Sequence, residues 1–335
     1  MRSVIVTGPG TTDVVDVPVP PVGPRDLLIR MRACGICGSD ALYISYGGIP
    51  PRVGATPLGH EPAGEVVEVG AQVEGIVVGD HVVVNPIAAG QTGNGGPFGG
   101  LSDFLKIEGA EPGRNIAVVP NDLPFDIAAL NEPMAVSRHA VNRTRLKPGD
   151  SVVIFGAGPI GLGAAIAYKL NGAESVVVVD IIPERLATAL AVGADAVINC
   201  AEEDVASRLR ELHGTAGNAL GEPRAGTDIY LDAAGASIVI DTALKAAKQG
   251  ATVGIVAVHK QPVSIDFGAL ITTELNIVTS MGYPTEIFEV TGEIVANVDR
   301  FSSIVSDRFT FEDVQDALIA ATTPGTKGKV IVTFP

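Results

Sequence analysis

Cys34-Gly35-Ile36-Cys37 is a C-x-x-C pair, and His60, in Gly59-His60-Glu61, stands 23 residues after Cys37. Thiolate, imidazole and carboxylate are the side chains that bind a divalent transition metal such as zinc. The pair alone admits four readings: a structural zinc half-site, a redox pair, a catalytic metal ligand, or buried apolar cysteines. A structural zinc site wants a second pair, and Cys200 is the only other cysteine in the chain. A redox pair opens a helix after a strand in a thioredoxin-like pattern, which is absent here. Further on, Asn131-Glu132-Pro133 places a carboxylate before a proline beside the apolar run Ile127-Ala128-Ala129-Leu130.

A second constellation suits a dinucleotide. Gly156-Ala157-Gly158-Pro159-Ile160-Gly161 matches G-x-G-x-x-G, follows the apolar run Val152-Val153-Ile154-Phe155 and opens an Ala-rich segment. The first glycine permits a tight turn. The second lets backbone N–H groups approach a pyrophosphate, and the third lets helix and strand pack closely. The helix N-terminus adds partial positive charge for the phosphates. Asp180 ends the next expected strand, 19 residues after Gly161. There a carboxylate accepts from the adenosine-ribose hydroxyls and repels a 2′-phosphate, which favours NAD over NADP. The expected cofactor contacts are Gly156, Gly158, Pro159, Ile160, Gly161, Asp180 and Arg185.

The elements that must hold these residues have two textures. Up to about Asp150, short Val-rich runs alternate with Gly and Pro turns: Leu27–Arg32, Glu65–Val69 and His81–Val84. This predicts antiparallel strands in an irregular barrel, except for the Ala-rich stretch Asp126 to Arg143, which is expected to be helical after its Pro133. From Ser151 the rhythm becomes strand, helix, strand, helix. Strands are expected at 152–155, 176–179, 196–198, 229–231 and 252–256, with a helix from Pro183 to Val192. Such alternation implies a parallel sheet covered on both faces. Helices near 286–298 and 311–321 and a final strand, 329–334, close the chain. The uncharged stretch Ser151–Tyr168 approaches the length of a membrane span, but its glycines and proline argue for a strand and a buried helix.

Across 335 residues, 46% hydrophobic and 18% charged, composition fits a globular chain of about two domains. A net charge of -15 argues against a nucleic-acid partner, since phosphate neutralisation needs a basic face. Three cysteines exclude a disulfide framework, and no signal peptide is visible, so a cytoplasmic location is expected.

The order and spacing of Gly35-Ile36-Cys37-Gly38-Ser39-Asp40, Gly59-His60-Glu61, Glu132-Pro133, the glycine turn and Asp180 resemble the zinc-dependent medium-chain dehydrogenase/reductase family. Alcohol, sorbitol and threonine dehydrogenases belong to it. The resemblance covers nearly the whole chain. It implies a GroES-like irregular β-barrel catalytic domain, residues 1–149 and 284–335, and a Rossmann doubly wound parallel-sheet domain, residues 150–283. Carried over by position, Cys37, His60 and Glu132 are the expected zinc ligands. Glu61 neighbours the metal and coordinates it directly or through water. Asp40 orients His60, and Ser39 begins a proton relay. The resemblance also implies a homodimer or homotetramer, with the segment Leu275–Ser280 pairing across a two-fold axis.

Two departures matter. The stretch 85–104, where many relatives carry four cysteines, has none, so one catalytic zinc and no structural zinc is expected. Leu42 stands where many relatives have a relay histidine, leaving Tyr43, a cofactor ribose or water to complete the proton path. The expected activity is NAD-dependent oxidation of a small secondary alcohol or polyol. The alternatives are a zinc-free reductase on the same fold and a non-catalytic NAD-binding protein. Cys34 is expected to be a buried small residue and His139 a packing histidine. His81, His213 and Cys200 carry no metal-like spacing, and Phe98, Tyr43 and Tyr46 line either a substrate pocket or packed loops. His259, after the strand at 252–258, is either a cofactor neighbour or a plain loop histidine.

Overall fold

The computed structural model describes every residue except Pro50, Pro51, Pro324, Thr326 and Lys327. The chain divides into two compact units: Met1–Glu132 with Ile287–Pro335, and Pro133–Glu286.

In the first unit, strand Leu27–Gly35 lies at the centre of a seven-stranded sheet. It pairs antiparallel with Glu61–Val69 on one side and with Lys329–Thr333 on the other. Alternating buried residues from these strands, among them Leu27, Ile29, Met31, Val66, Val330 and Val332, form a single core. The last strand of the chain thereby lies beside an early one, so both chain ends build this unit.

The second unit is a six-stranded sheet in the spatial order 196–199, 175–180, 151–155, 229–232, 252–255, 276–279. All five pairings are parallel. Val152 to Phe155 are all buried, as a parallel strand covered on both faces requires. The membrane-like stretch resolves into strand Ser151–Phe155 and helix Pro159–Leu170, whose residues Gly161 to Tyr168 are buried throughout. Among the described residues no helix is long and apolar enough to cross a membrane.

The observed division falls at 132/133 and 286/287, where the sequence placed it at 149/150 and 283/284. The cause is helix Asn131–Thr144, which packs on helix Pro159–Leu170. Ser137 Oγ donates to the Ile160 carbonyl at 2.9 Å. A Cβ on Gly163 would come within 2.6 Å of Met134 Sδ and Ser137 Oγ, so a glycine is needed for that approach. The helix expected after Pro133 is present and starts two residues earlier, as Asn131–Thr144, and a further short helix, Phe125–Ala128, precedes it. A short hairpin of Thr215–Gly217 with Pro223–Ala225 was not foreseen.

Within the second unit, buried Glu286 joins the end of the unit to the Asn131–Thr144 helix. It accepts from Asn142 Nδ2 at 3.0 Å and the Thr285 amide at 3.1 Å, and lies 2.9 Å from His139 Nδ1. Burial pushes its pKa up, but these partners together outweigh burial and hold it at about 2. A depressed carboxylate stabilises the fold above its unfolded pKa and loses that contribution as pH falls from about 4.5 toward 2. Glu286→Gln is expected to cost about 2–3 kcal/mol at pH 7 by urea unfolding, and much less at pH 3. An equal cost at both pH values would show that the charge contributes nothing.

Candidate active site

Local geometry brings the metal-type side chains together. Cys37 is the N-cap of helix Gly38–Tyr46. Its amide donates to Asp40 Oδ2 at 2.9 Å. Glu61 begins the neighbouring strand directly after His60, and the register Gly35↔Glu61 sets them beside the Cys37 turn. Gly59 has φ 93°, and a Cβ there would lie 2.4 Å from the Leu101 amide, so only glycine lets the chain enter this strand. One ligand atom each from Cys37, His60 and Glu61 lie within 4.8 Å of one another. Among the described residues this is the one group of three or more such side chains so arranged.

His60 is held from both sides. Its Nδ1 is 3.5 Å from Asp40 Oδ1, and its Nε2 is 3.3 Å from Ser39 Oγ. Burial pulls its pKa down, but the charge and hydrogen bonding of Asp40, with Cys37, raise it well above the usual histidine value. Tyr43 stacks obliquely near His60, with ring centroids 6.3 Å apart, and donates to Asn94 Oδ1 at 3.0 Å. Burial raises its pKa. Asn94 comes from the cysteine-free stretch, and sequence reasoning passed over it.

Glu132 is buried at the start of its helix but lies outside the three-residue group, in which Glu61 stands instead. Lys329, which the sequence reading treated only as the start of a strand, is the reason Glu61 is so placed. Lys329 and Glu61 are 3% and 1% exposed and form an ion pair, and Lys329 Nζ also donates to the Ile36 carbonyl at 2.9 Å. Burial lowers the Lys329 pKa, but Glu61 and Cys37 more than offset this and raise it. A Cβ on Gly35 would overlap the Glu61 carboxylate, so this glycine gives the ion pair its room. A soft thiolate, an imidazole and a carboxylate in a buried, acid-rich setting are a donor set that fits zinc. Cys34 is fully buried, and burial raises its thiol pKa, as a packing residue requires.

In the second unit the glycine turn takes its expected form. Gly156 has φ 99°, and a Cβ on Gly161 would lie 1.8 Å from the Gly156 carbonyl. Gly158, the N-cap of helix Pro159–Leu170, has open space where a Cβ would stand, leaving its backbone accessible to a phosphate. Pro159 and Ile160, in the helix's first turn, are half-buried. Asp180 is largely buried: Oδ2 accepts from the Ala157 amide at 2.7 Å, and Oδ1 from the Ile181 and Ile182 amides at 2.7 and 3.0 Å. Arg185 Nη1 lies 3.7 Å from Asp180 Oδ2. The carboxylate thus ties the end of its strand to the glycine turn. These features fit a dinucleotide.

The other histidines are structural. His139 pairs with Glu286, His213 sits between Ser175 and Thr227, and His81 packs on Phe125. His259 is the exception, considered below.

Comparison with known proteins agrees with this geometry. The zinc-binding dehydrogenase family model matches residues 159–297, and the alcohol dehydrogenase GroES-like domain matches residues 23–110. Sorbitol dehydrogenase of Bacillus subtilis (strain 168) is 30% identical, over 95% of this chain and 92% of its own. The chain belongs to the zinc-type medium-chain dehydrogenases. Crystallographic 2R,3R-butanediol dehydrogenase from Bacillus subtilis has the same fold, with TM-score 0.84 and 25% identity over 99% of each chain. A dehydrogenase from Sinorhizobium meliloti 1021, solved bound to NADP, has TM-score 0.84 and 26% identity over 99% of this chain and 98% of its own. As a zinc-type medium-chain dehydrogenase, the protein is an alcohol or polyol oxidoreductase with a GroES-like unit and a parallel-sheet nucleotide unit.

Proposed function

We propose that this dehydrogenase is a cytoplasmic, NAD-dependent enzyme that interconverts a small secondary alcohol or polyol and its ketone, with one catalytic zinc per chain. The observation that carries the reading is the Cys37–His60–Glu61 group with Ser39 Oγ 3.3 Å from His60 Nε2. Cys37 and His60 would hold the metal, with Glu61 or Glu132 supplying a carboxylate. When bound, the metal supplies Lewis acidity to the substrate oxygen, which favours loss of the hydroxyl proton. The Ser39 hydroxyl takes up that proton as it passes its own on to water or to Tyr43, whose ring lies 6.3 Å from that of His60. Asp40 fixes the orientation of His60 through its other ring nitrogen. The glycine turn and the helix N-terminus hold the diphosphate, and Asp180 with Arg185 faces the adenosine ribose. Because the Asp180 carboxylate opposes a 2′-phosphate, NAD is preferred.

Metal analysis and a nicotinamide-absorbance assay over an alcohol and polyol panel test this reading. The expected result is one tightly bound zinc per chain, turnover of at least one secondary alcohol or polyol, and a higher kcat/KM with NAD than with NADP. Full activity after zinc removal would favour the zinc-free reductase, and binding of NADH without any turnover would favour a sensor. Two zincs per chain would contradict the single-site reading.

We further propose a homodimer or homotetramer. Strand Asn276–Thr279 ends the order of the six-stranded sheet and exposes Ile277, an edge that pairing with a second copy would cover. Light scattering is expected to give a multiple of the 34.3 kDa chain mass, and a 34.3 kDa particle at micromolar concentration contradicts it.

A further inference from the structure

The central strand of the nucleotide unit, Ser151–Phe155, is flanked by Ser175–Asp180 on one side and Ile229–Asp232 on the other. Each flanking strand ends in a buried aspartate that collects backbone amides from the turn after it. Asp180 accepts from Ile181 and Ile182, and Asp232 Oδ1 accepts from Ala234 and Gly235, both at 2.9 Å. Each also meets one basic side chain: Arg185 at 3.7 Å from Asp180, and His259 Nε2 at 2.7 Å from Asp232 Oδ2. The first pair serves the adenosine half in the proposed reading. The second has no role there.

Several observations make the second pair a built feature. Asp232 is 1% exposed and pairs in register with Phe155, immediately before the glycine turn. Its backbone carbonyl accepts from Val256 at 3.0 Å and Ala257 at 3.1 Å, so the segment carrying His259 is fastened to the same residue. A Cβ on Gly235 would lie 2.9 Å from the Val258 carbonyl, so the two turns pack closely. Val258, the residue before His259, is 73% exposed.

A dinucleotide is two nucleotides joined through a diphosphate. A doubly wound sheet receives them at the carboxyl ends of its strands, where the chain order reverses. With the adenosine half on the Asp180 side, the nicotinamide half falls on the Asp232 side. Asp232 does not reach it, because the residue is 1% exposed, against 8% for Asp180. His259 can: its Nε2–H donates to Asp232, which leaves Nδ1 of the neutral ring as an acceptor. Among the described residues the ring's one hydrogen bond is that of Nε2, and Nδ1 has no partner. Phosphates offer only acceptors, whereas a ribose hydroxyl offers a donor.

We infer that His259, oriented by Asp232, accepts a hydrogen bond from a hydroxyl of the nicotinamide ribose, with Val258 as the apolar contact next to it. Asp232 is a positioning residue, since it acts only through His259 and the turn. The inference rests on the dinucleotide reading of this unit, and a ligand series separates the two.

AMP, ADP, ADP-ribose and NADH, titrated calorimetrically into the full chain, extend the ligand step by step toward the nicotinamide. With His259→Ala, AMP and ADP are expected to bind within twofold of the unmodified protein. ADP-ribose and NADH should weaken about three- to tenfold, the loss of one neutral hydrogen bond. His259→Gln keeps a side-chain acceptor and should recover part of the loss, which a purely structural role would not predict. An unchanged ADP-ribose affinity overturns the inference. So does an equal loss for AMP, which would mean the loop had collapsed, and so does a loss confined to NADH, which would place the contact on the ring amide. If the unmodified chain binds none of the four, the dinucleotide reading itself fails and takes this inference with it.

Discussion

Lys329→Met is expected to destabilise the metal-free protein by about 3–5 kcal/mol, because it leaves the Glu61 carboxylate buried without its cation. Glu61 is 1% exposed and cannot turn to water. Its Lys329 partner is 3% exposed and held by the Ile36 carbonyl at 2.9 Å, so the pair is fixed in the core. Cys37 and Glu132 add negative charge that Lys329 also feels. Zinc held at this group, as proposed, would compensate the same carboxylate, so the loss measured by urea unfolding should be smaller in the zinc-loaded protein. Glu61→Gln combined with Lys329→Met removes both charges and should recover most of the metal-free loss. Equal losses with and without zinc would mean that Lys329 matters for packing alone. No loss in either form would mean that Glu61 is already neutral.

The contrast between Lys329 and the glycine turn shows where the sequence could be read. The turn is local: strand, Gly156 to Gly161, helix and Asp180 are near in the chain, and steric requirements act on each glycine in place. The Cys37 and His60 positions are legible for a similar reason, since each sits at an element boundary, a helix N-terminus and a strand start. Lys329 is not legible. A lysine opening the run Lys-Val-Ile-Val-Thr looks like a solvated strand end, and its partner Glu61 is 268 residues away. Only the pairing of the last strand with Leu27–Gly35 brings the two together. Glu132 is an expected ligand through the resemblance, whereas Glu61 is the carboxylate grouped with Cys37 and His60. That grouping is set by the register Gly35↔Glu61 and by the lysine, both long-range facts. The break between compact units differs from the expected domain boundary because residues 133–144 pack with the second unit, where Met134 and Ser137 meet Gly163.

Ser39→Ala is expected to lower kcat/KM for alcohol oxidation by roughly 10²–10⁴, the range for losing a positioned proton-transfer group. Its hydroxyl is 3.3 Å from His60 Nε2, which puts it at the metal group. No histidine follows at position 42, where Leu42 stands, so the hydroxyl is the proton acceptor that this turn offers. A purely structural explanation would make Ser39 a helix cap. The structure assigns that work elsewhere: Cys37 is the N-cap, and Asp40 Oδ2 receives the Cys37 amide at 2.9 Å. Removing the Ser39 hydroxyl should therefore cost less than the roughly 1 kcal/mol of a lost cap. Zinc content and NADH affinity should be unchanged, because neither uses the hydroxyl. The activity deficit should shrink at high pH, where the substrate proton leaves more readily, and Ser39→Thr should restore turnover if its methyl group is accommodated. Stability, zinc content and the pH–rate profile measured on one preparation decide the matter. A fully active, zinc-replete Ser39→Ala enzyme would move the proton to Tyr43 or water. Normal turnover per folded chain with a lower unfolding midpoint would return Ser39 to a structural role.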